Sequence, residues 1–153
     1  MIKKLIIVDI VPKKYKKSDV DILKGLALLD FDELRTRNSV DLQLSKFVKE
    51  NSIRQFLLKN LYWSSKEKLA LRLNIDVLKD KVSEVSDFSD IISQYKGSSL
   101  FLFGEKSEYY NENDDIIVRN FFPNSKISLI RNASHWLHVE NPKDFIKEIT
   151  SWI

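Results

Sequence analysis

Ile127-Ser-Leu-Ile-Arg-Asn-Ala-Ser-His135-Trp-Leu-His-Val-Glu-Asn-Pro142 decides the reading of this chain. Its first residues are an apolar, partly β-branched run, as expected of a strand. A short polar loop follows and carries His135. Pro142 then opens an amphipathic helix to Ile153, because proline suits a first helical turn where its missing N–H is not needed. Phe145, Ile146, Ile149 and Trp152 form the expected inner stripe of that helix. A histidine on the loop after a buried strand is either a loop residue packed beside Trp136 or a candidate general base, since imidazole titrates near neutrality.

Working outward, Ser98–Phe103 is a second short apolar run, ended by Gly104, and Lys126–Ile130 is a third. Between them Asp114–Phe122 has helical spacing and stops at Pro123-Asn124. At the other end of the chain Leu5–Ile10 is a continuous β-branched run containing Asp9. Such runs suit strands buried on both faces of a parallel sheet. The region between is expected to be mostly helical. Leu42, Leu44, Phe47 and Val48, then Ile53, Phe56, Leu57 and Leu61, recur near helical spacing, as do Ile75, Leu78, Lys79 and Val82. Leu69–Leu73 reads as a short strand or a helical turn. The expected class is therefore α/β, with about three parallel strands, flanking helices and a helical insertion. The expected divisions are 1–17 for the first strand and loop, 18–90 for the insertion and 91–153 for the last strand–helix units.

Composition narrows the function classes. The 153 residues carry a net charge of +3, with 43% hydrophobic and 31% charged residues, which indicates a globular chain of one domain or a large part of one. Lys3-Lys4 and Lys13-Lys14-Tyr15-Lys16-Lys17 read as solvated surface, because lysines elsewhere are interspersed with acids, so no nucleic-acid partner is expected. No cysteine is present, which excludes thiolate catalysis and zinc–thiolate centres. Asp9 and Pro12 interrupt the N-terminal apolar run, so neither a signal peptide nor a membrane span is expected, and the expected location is cytoplasmic. The three glycines, Gly25, Gly97 and Gly104, are too far apart to bracket a serine, so the sequence holds no G-x-S-x-G nucleophile elbow.

Five segments carry a resemblance: Val8-Asp-Ile-Val-Pro12 with Tyr15; Arg54-Gln-Phe-Leu-Leu-Lys-Asn-Leu61; Arg72-Leu-Asn-Ile75; Phe101-Leu-Phe-Gly104 with Ser107 and Tyr109; and Asn132-Ala-Ser-His-Trp-Leu-His138 with Glu140 and Pro142. In this order they resemble the C-terminal half of a small α/β-hydrolase esterase, of the bacterial short-chain acyl esterase or mitochondrial abhydrolase-domain type. The resemblance implies that 18–90 is a helical cap and that His135 is the base of a catalytic triad. It also implies that Asp9, ending the first strand, is the triad acid. Glu105 and Glu108 are alternatives, since many α/β-hydrolases place the acid near Gly104, where Ser107 stands here. Ser134 departs from the glycine usual before the histidine, which implies a slightly shifted loop. The nucleophile elbow and the oxyanion-hole loop have no counterpart in the sequence.

The other candidate residues have plainer expectations. His138 stands three residues from His135, but no acid is spaced to complete a metal site, so packing or a supporting hydrogen bond is expected. Trp136 and Tyr109 are expected to fill core or line a pocket, and Phe56, Leu57 and Leu61 to pack the cap. Ser134, Ser98 and Ser99 are poorly placed for a nucleophile. No metal or organic cofactor is expected. The expected function is the C-terminal portion of a serine esterase or thioesterase, inactive alone, that supplies base, acid and cap toward a small acyl ester substrate. Its expected partner is a separate N-terminal half chain bearing the serine, or a second copy joined through the exposed first strand. A truncated silent remnant and a non-enzymatic interaction module are the competing readings.

Overall fold

The computed structural model describes residues 2–15, 20–88, 90 and 92–153. Lys16, Lys17 and the expected start of the insertion at Ser18 lie outside them. The chain forms two compact units, one of residues 1–15 with 87–153, the other of residues 16–86.

The first unit is built on a three-stranded sheet in the order β1 (Lys4–Val8), β4 (Ser98–Gly104), β5 (Ser125–Ile130), with both pairings parallel. The register aligns Ile6 with Leu100, Ile7 with Phe101 and Phe101 with Ile127. Side chains alternate across a strand, and β4 buries both of its faces. Leu100 and Leu102 join Ile130, Ala133 and Leu137 on one side, against Phe145, Ile149 and Trp152 of α7 (Pro142–Trp152). Phe101 and Phe103 join Val11 and Val118 on the other, against Ile117 of α5 (Asp114–Phe121). This two-sided burial is why the strand reads as a continuous apolar run rather than an alternating one.

The last helix is stitched at both ends. The Asn141 side chain caps it by accepting the Asp144 N–H at 3.2 Å, and its own amide donates to Arg131 O at 3.0 Å. The Lys4 ammonium donates to Trp152 O at 2.6 Å and Ile153 O at 2.8 Å, a favourable place for a cation at a helix C-terminus.

The second unit has its own core of Leu26, Val40, Leu44, Val48, Leu57, Leu58 and Leu69. Its elements are α1 (Val20–Ala27), α2 (Arg37–Leu44), α3 (Asn51–Leu57), a short 3-10 turn, β2 (Leu61–Trp63), β3 (Leu69–Leu71) and α4 (Ile75–Val85). Thr36 and Ser39 cap α2 reciprocally, and the Asn74 side chain caps α4 by accepting the Val77 N–H. The Arg54 guanidinium ties Asp41 at 2.8 Å to Val48 O and Lys49 O, which closes the turn between α2 and α3.

Several sequence expectations change. Leu61 is not the end of a helical stripe: it pairs with Leu71 in an antiparallel hairpin whose strands are three residues each. Leu42 is 70% exposed although Leu44 is buried, because positions two apart on a helix lie on opposite sides. Phe56 and Ile146, read as inward-facing, are largely exposed. The first strand stops at Val8 rather than Ile10, since Asp9 turns the chain. A short helix, α6 (Leu137–Glu140), precedes α7 in what reads as loop in the sequence.

Candidate active site

Asp9 is the first residue past β1. Its N–H still bonds Leu102 O at 2.8 Å, so it remains tied to β4, but its φ is +53°. Asp tolerates this left-handed region better than most residues. The turn directs its carboxylate inward, where the residue is 1% exposed. Burial of an acid demands partners, and three are present. Oδ1 accepts the Gly104 N–H at 3.0 Å. Oδ2 accepts the Ser107 hydroxyl at 2.5 Å and meets Nδ1 of His135 at 2.8 Å.

His135 arrives from the loop after β5. That loop is held to the end of β4 by its backbone: Glu105 N–H donates to Ile130 O at 3.0 Å and Lys106 N–H to Ala133 O at 2.8 Å. Asn132 takes a φ of +55° and donates its N–H to the Glu105 carboxylate at 2.8 Å. The Ser134 side chain is accommodated by Glu140, which accepts its hydroxyl at 2.6 Å and its N–H at 2.7 Å. These two bonds hold the Glu140 carboxyl below the usual carboxylate range.

The imidazole is half exposed, 49% by side-chain area, and lies over the Tyr109 ring with centroids 4.3 Å apart and planes 24° apart. With the Nδ1–H directed at Asp9, the basic lone pair sits on Nε2. Tyr109 is in turn fixed by its backbone. Its N–H donates to Ser107 Oγ at 3.2 Å, and its carbonyl accepts the Tyr15 hydroxyl at 3.2 Å. Tyr15 also accepts the Val11 N–H at 2.6 Å, and burial pushes its phenol up to about 12. A buried anchor lies behind these loops: Asp114 accepts Lys13 Nζ at 2.6 Å and the Asn111 N–H at 2.9 Å.

Thus Asp9, not Glu105 or Glu108, stands against His135. Glu105 is engaged with the Asn132 backbone, and Glu108 is exposed. Ser107 occupies the slot expected for an acid and serves Asp9 instead. Its role was not legible from the sequence, where it is one polar loop residue among several. His138 is exposed, its ring 6.0 Å from that of Phe145. Among the described residues no group of three or more acids and histidines could hold a metal ion. Among them, too, no helix is long and apolar enough to cross a membrane.

Chemically, an orienting carboxylate and an imidazole tautomer fixed by it can accept and return a proton at a nucleophile brought to Nε2.

No family model matches the chain. The mouse (Mus musculus) sn-1-specific diacylglycerol lipase ABHD11 is 31% identical over 159 aligned residues, covering 100% of this chain and 52% of the mouse protein. Esterase YbfF of Escherichia coli strain K12 is 26% identical, covering 99% of this chain and 58% of its own length. The solved structure of a marine microorganism esterase superposes with a TM-score of 0.91 at 32% identity, covering 99% of this chain and 60% of the esterase. The chain spans about half the length of the curated relatives it matches. A hydrolase of E-2-(acetamidomethylene)succinate shares the fold at 14% identity, with a TM-score of 0.59. With a parallel β1–β4–β5 sheet flanked by helices and these relatives aligned along its whole extent, the chain has the α/β-hydrolase fold and corresponds to the C-terminal half of an α/β-hydrolase.

Proposed function

We propose that this chain supplies the base and the acid of a serine hydrolase acting on carboxylic esters or thioesters. His135 is the base and Asp9 the acid. The observation that carries this reading is the 2.8 Å contact between His135 Nδ1 and the buried Asp9 carboxylate. The three relatives above 25% identity are a lipase and two esterases, which supports an acyl ester substrate; acyl-CoA-like thioesters enter by the family resemblance alone. In the reaction a serine attacks the acyl carbon, His135 takes the serine proton at Nε2 and returns it to the leaving oxygen or sulfur, and water then releases the acid from the acyl-enzyme by the same relay. Asp9 orients the imidazole and stabilises its cation. The unit of residues 16–86 takes the part of the helical cap of such an enzyme.

The serine and the oxyanion donors come from polypeptide outside these residues, and the chain alone is inactive. The outer edge of β1 is where that polypeptide pairs. In β1 the residues Leu5 to Ile7 are only partly buried and Val8 is exposed, whereas β4 is buried from Ser99 onward. An apolar strand with an open edge invites another strand. A second copy of this chain is the competing occupant of that edge. A cytoplasmic location fits a chain without cysteine.

The test is complementation. The chain is mixed or co-expressed with the N-terminal, nucleophile-bearing half of a similar esterase, and hydrolysis of a chromogenic short-chain ester is followed. Activity that needs both pieces and is lost in His135→Ala supports the proposal. A stable complex whose activity ignores His135→Ala refutes the assignment of the base. A soluble chain that only self-associates points to an interaction module.

A further inference from the structure

We infer that Tyr109 is a positioning residue for His135: its ring is a fixed platform that sets the plane of the imidazole and stabilises it when protonated. The inference rests on the reading of His135 as the base. The parallel stack, with centroids 4.3 Å and planes 24° apart, puts the imidazole over the negative face of the phenol ring. A cation over such a face is attracted by the ring quadrupole, and the attraction grows as water is excluded.

The platform is built rather than incidental. Tyr109 is pinned by its N–H to Ser107 Oγ and by its carbonyl to the Tyr15 hydroxyl, and its ring packs at 5.3 Å and 45° against the Tyr15 ring. The next residue, Tyr110, turns the other way and stacks on Phe103 at 4.0 Å and 7° in the core. The backbone of 109–110 is therefore held from both sides. Ser107 touches both parts of the site: its hydroxyl donates to Asp9 Oδ2 and accepts the Tyr109 N–H. The edge of the imidazole at Nδ1 is set by Asp9 and its face by Tyr109. Two contacts at right angles leave the ring one orientation, which is the preorganisation a proton shuttle needs.

Charged groups near the pair among the described residues include Asp9 at the end of β1, Glu140 on α6, which repels the Asp9 charge, and Lys106, which is attracted to Glu140. Tyr15 stays neutral because burial raises its phenol. A substitution at Tyr109 that keeps the fold leaves Asp9, Glu140 and Lys106 in place.

The experiment is histidine NMR on the full chain, which has two histidines, so that His138, beside Phe145, is an internal control. In the unmodified protein the His135 ring protons are expected upfield of those of His138 through the Tyr109 ring current. In Tyr109→Leu that displacement disappears and the His135 titration midpoint falls by about half a pH unit. Tyr109→Phe keeps both, and His138 is unchanged in each. Ring protons of His135 at unperturbed positions in the unmodified protein overturn the inference without any variant. So does a folded Tyr109→Leu protein with an unchanged midpoint. If Tyr109→Leu fails to fold, the upfield displacement and its retention in Tyr109→Phe decide. Because no turnover is measured, failure here is distinct from failure of the esterase assignment, which the complementation assay reads.

Discussion

Gly104 and Ser134 are in direct backbone contact: a Cβ on Gly104 would stand 2.2 Å from Ser134 O and 2.5 Å from Ala133 O. Both neighbours are backbone, so neither can swing aside. The glycine is needed for space, and it lets the end of β4 carry the histidine loop on its edge. Gly104→Ala should cost about 3 kcal/mol or more, the upper range for overpacking, because the loop itself must move. Urea denaturation of the two proteins checks this. The same variant should also displace the His135 resonances, and a loss under about 1 kcal/mol would refute the packing argument.

Asp9 serves three donors at once, so its loss is structural as well as chemical. Asp9→Ala leaves the Gly104 N–H and Ser107 hydroxyl without their acceptor and puts alanine at a φ of +53°. A destabilisation of about 3 kcal/mol is expected. Asp9→Asn keeps the shape and the tolerance of positive φ. In the complemented enzyme it should lower turnover by about 10⁴, as loss of an orienting acid does in such triads, with much less loss of stability. Comparing the two variants by thermal melting and by ester hydrolysis separates the roles.

Tyr15 gives the fold an alkaline limit. Its phenol is raised in the folded chain to about 12 from 10.0. A raised value means that the unfolded chain releases the proton more readily. The stability Tyr15 contributes is therefore complete below pH 10 and is lost as pH climbs toward 12. Tyr15→Phe should be less stable by about 1–2 kcal/mol at neutral pH, since the Val11 N–H loses its acceptor. The gap between the two proteins should narrow above pH 10, as read by denaturation at a series of pH values.

Leu42 and Leu44 offer a control within one helix. Leu44 is 1% exposed and Leu42 is 70% exposed. Leu44→Ala should cost about 2–5 kcal/mol, while Leu42→Gln should stay within about 0.5 kcal/mol of the unmodified chain. Equal effects in guanidinium titrations would mean that α2 is rotated about its axis.

The legible parts of the fold were those with strong local signals. The run at Ser98–Phe103 is apolar because β4 is buried on both faces, the runs at Leu5–Val8 and Lys126–Ile130 flank it with partly buried faces, and Pro142 marks its helix by chemistry that needs no context. The β2–β3 hairpin escaped because strands of three residues have no period to read, and Leu61 fits a helical spacing equally well. Leu42 and Ile146 misled because an apolar residue on a helix is no proof of a buried face. At the site, no spacing rule pairs Asp9 with His135, and the pairing entered through family resemblance. The services of Ser107 and of the Gly104 N–H are tertiary, and polar loop residues do not declare them in advance.

Asp9 and His135 are separated by 126 positions yet share one hydrogen bond. During synthesis the carboxylate is made 126 positions before its imidazole partner. β4 is made in between, so β1 can pair and Asp9 can accept the Gly104 N–H before His135 arrives. Until β4 arrives, β1 is open to strand exchange and to chaperone capture. Of the three contacts made by the Asp9 carboxylate, the one to His135 is therefore the last that the growing chain can complete.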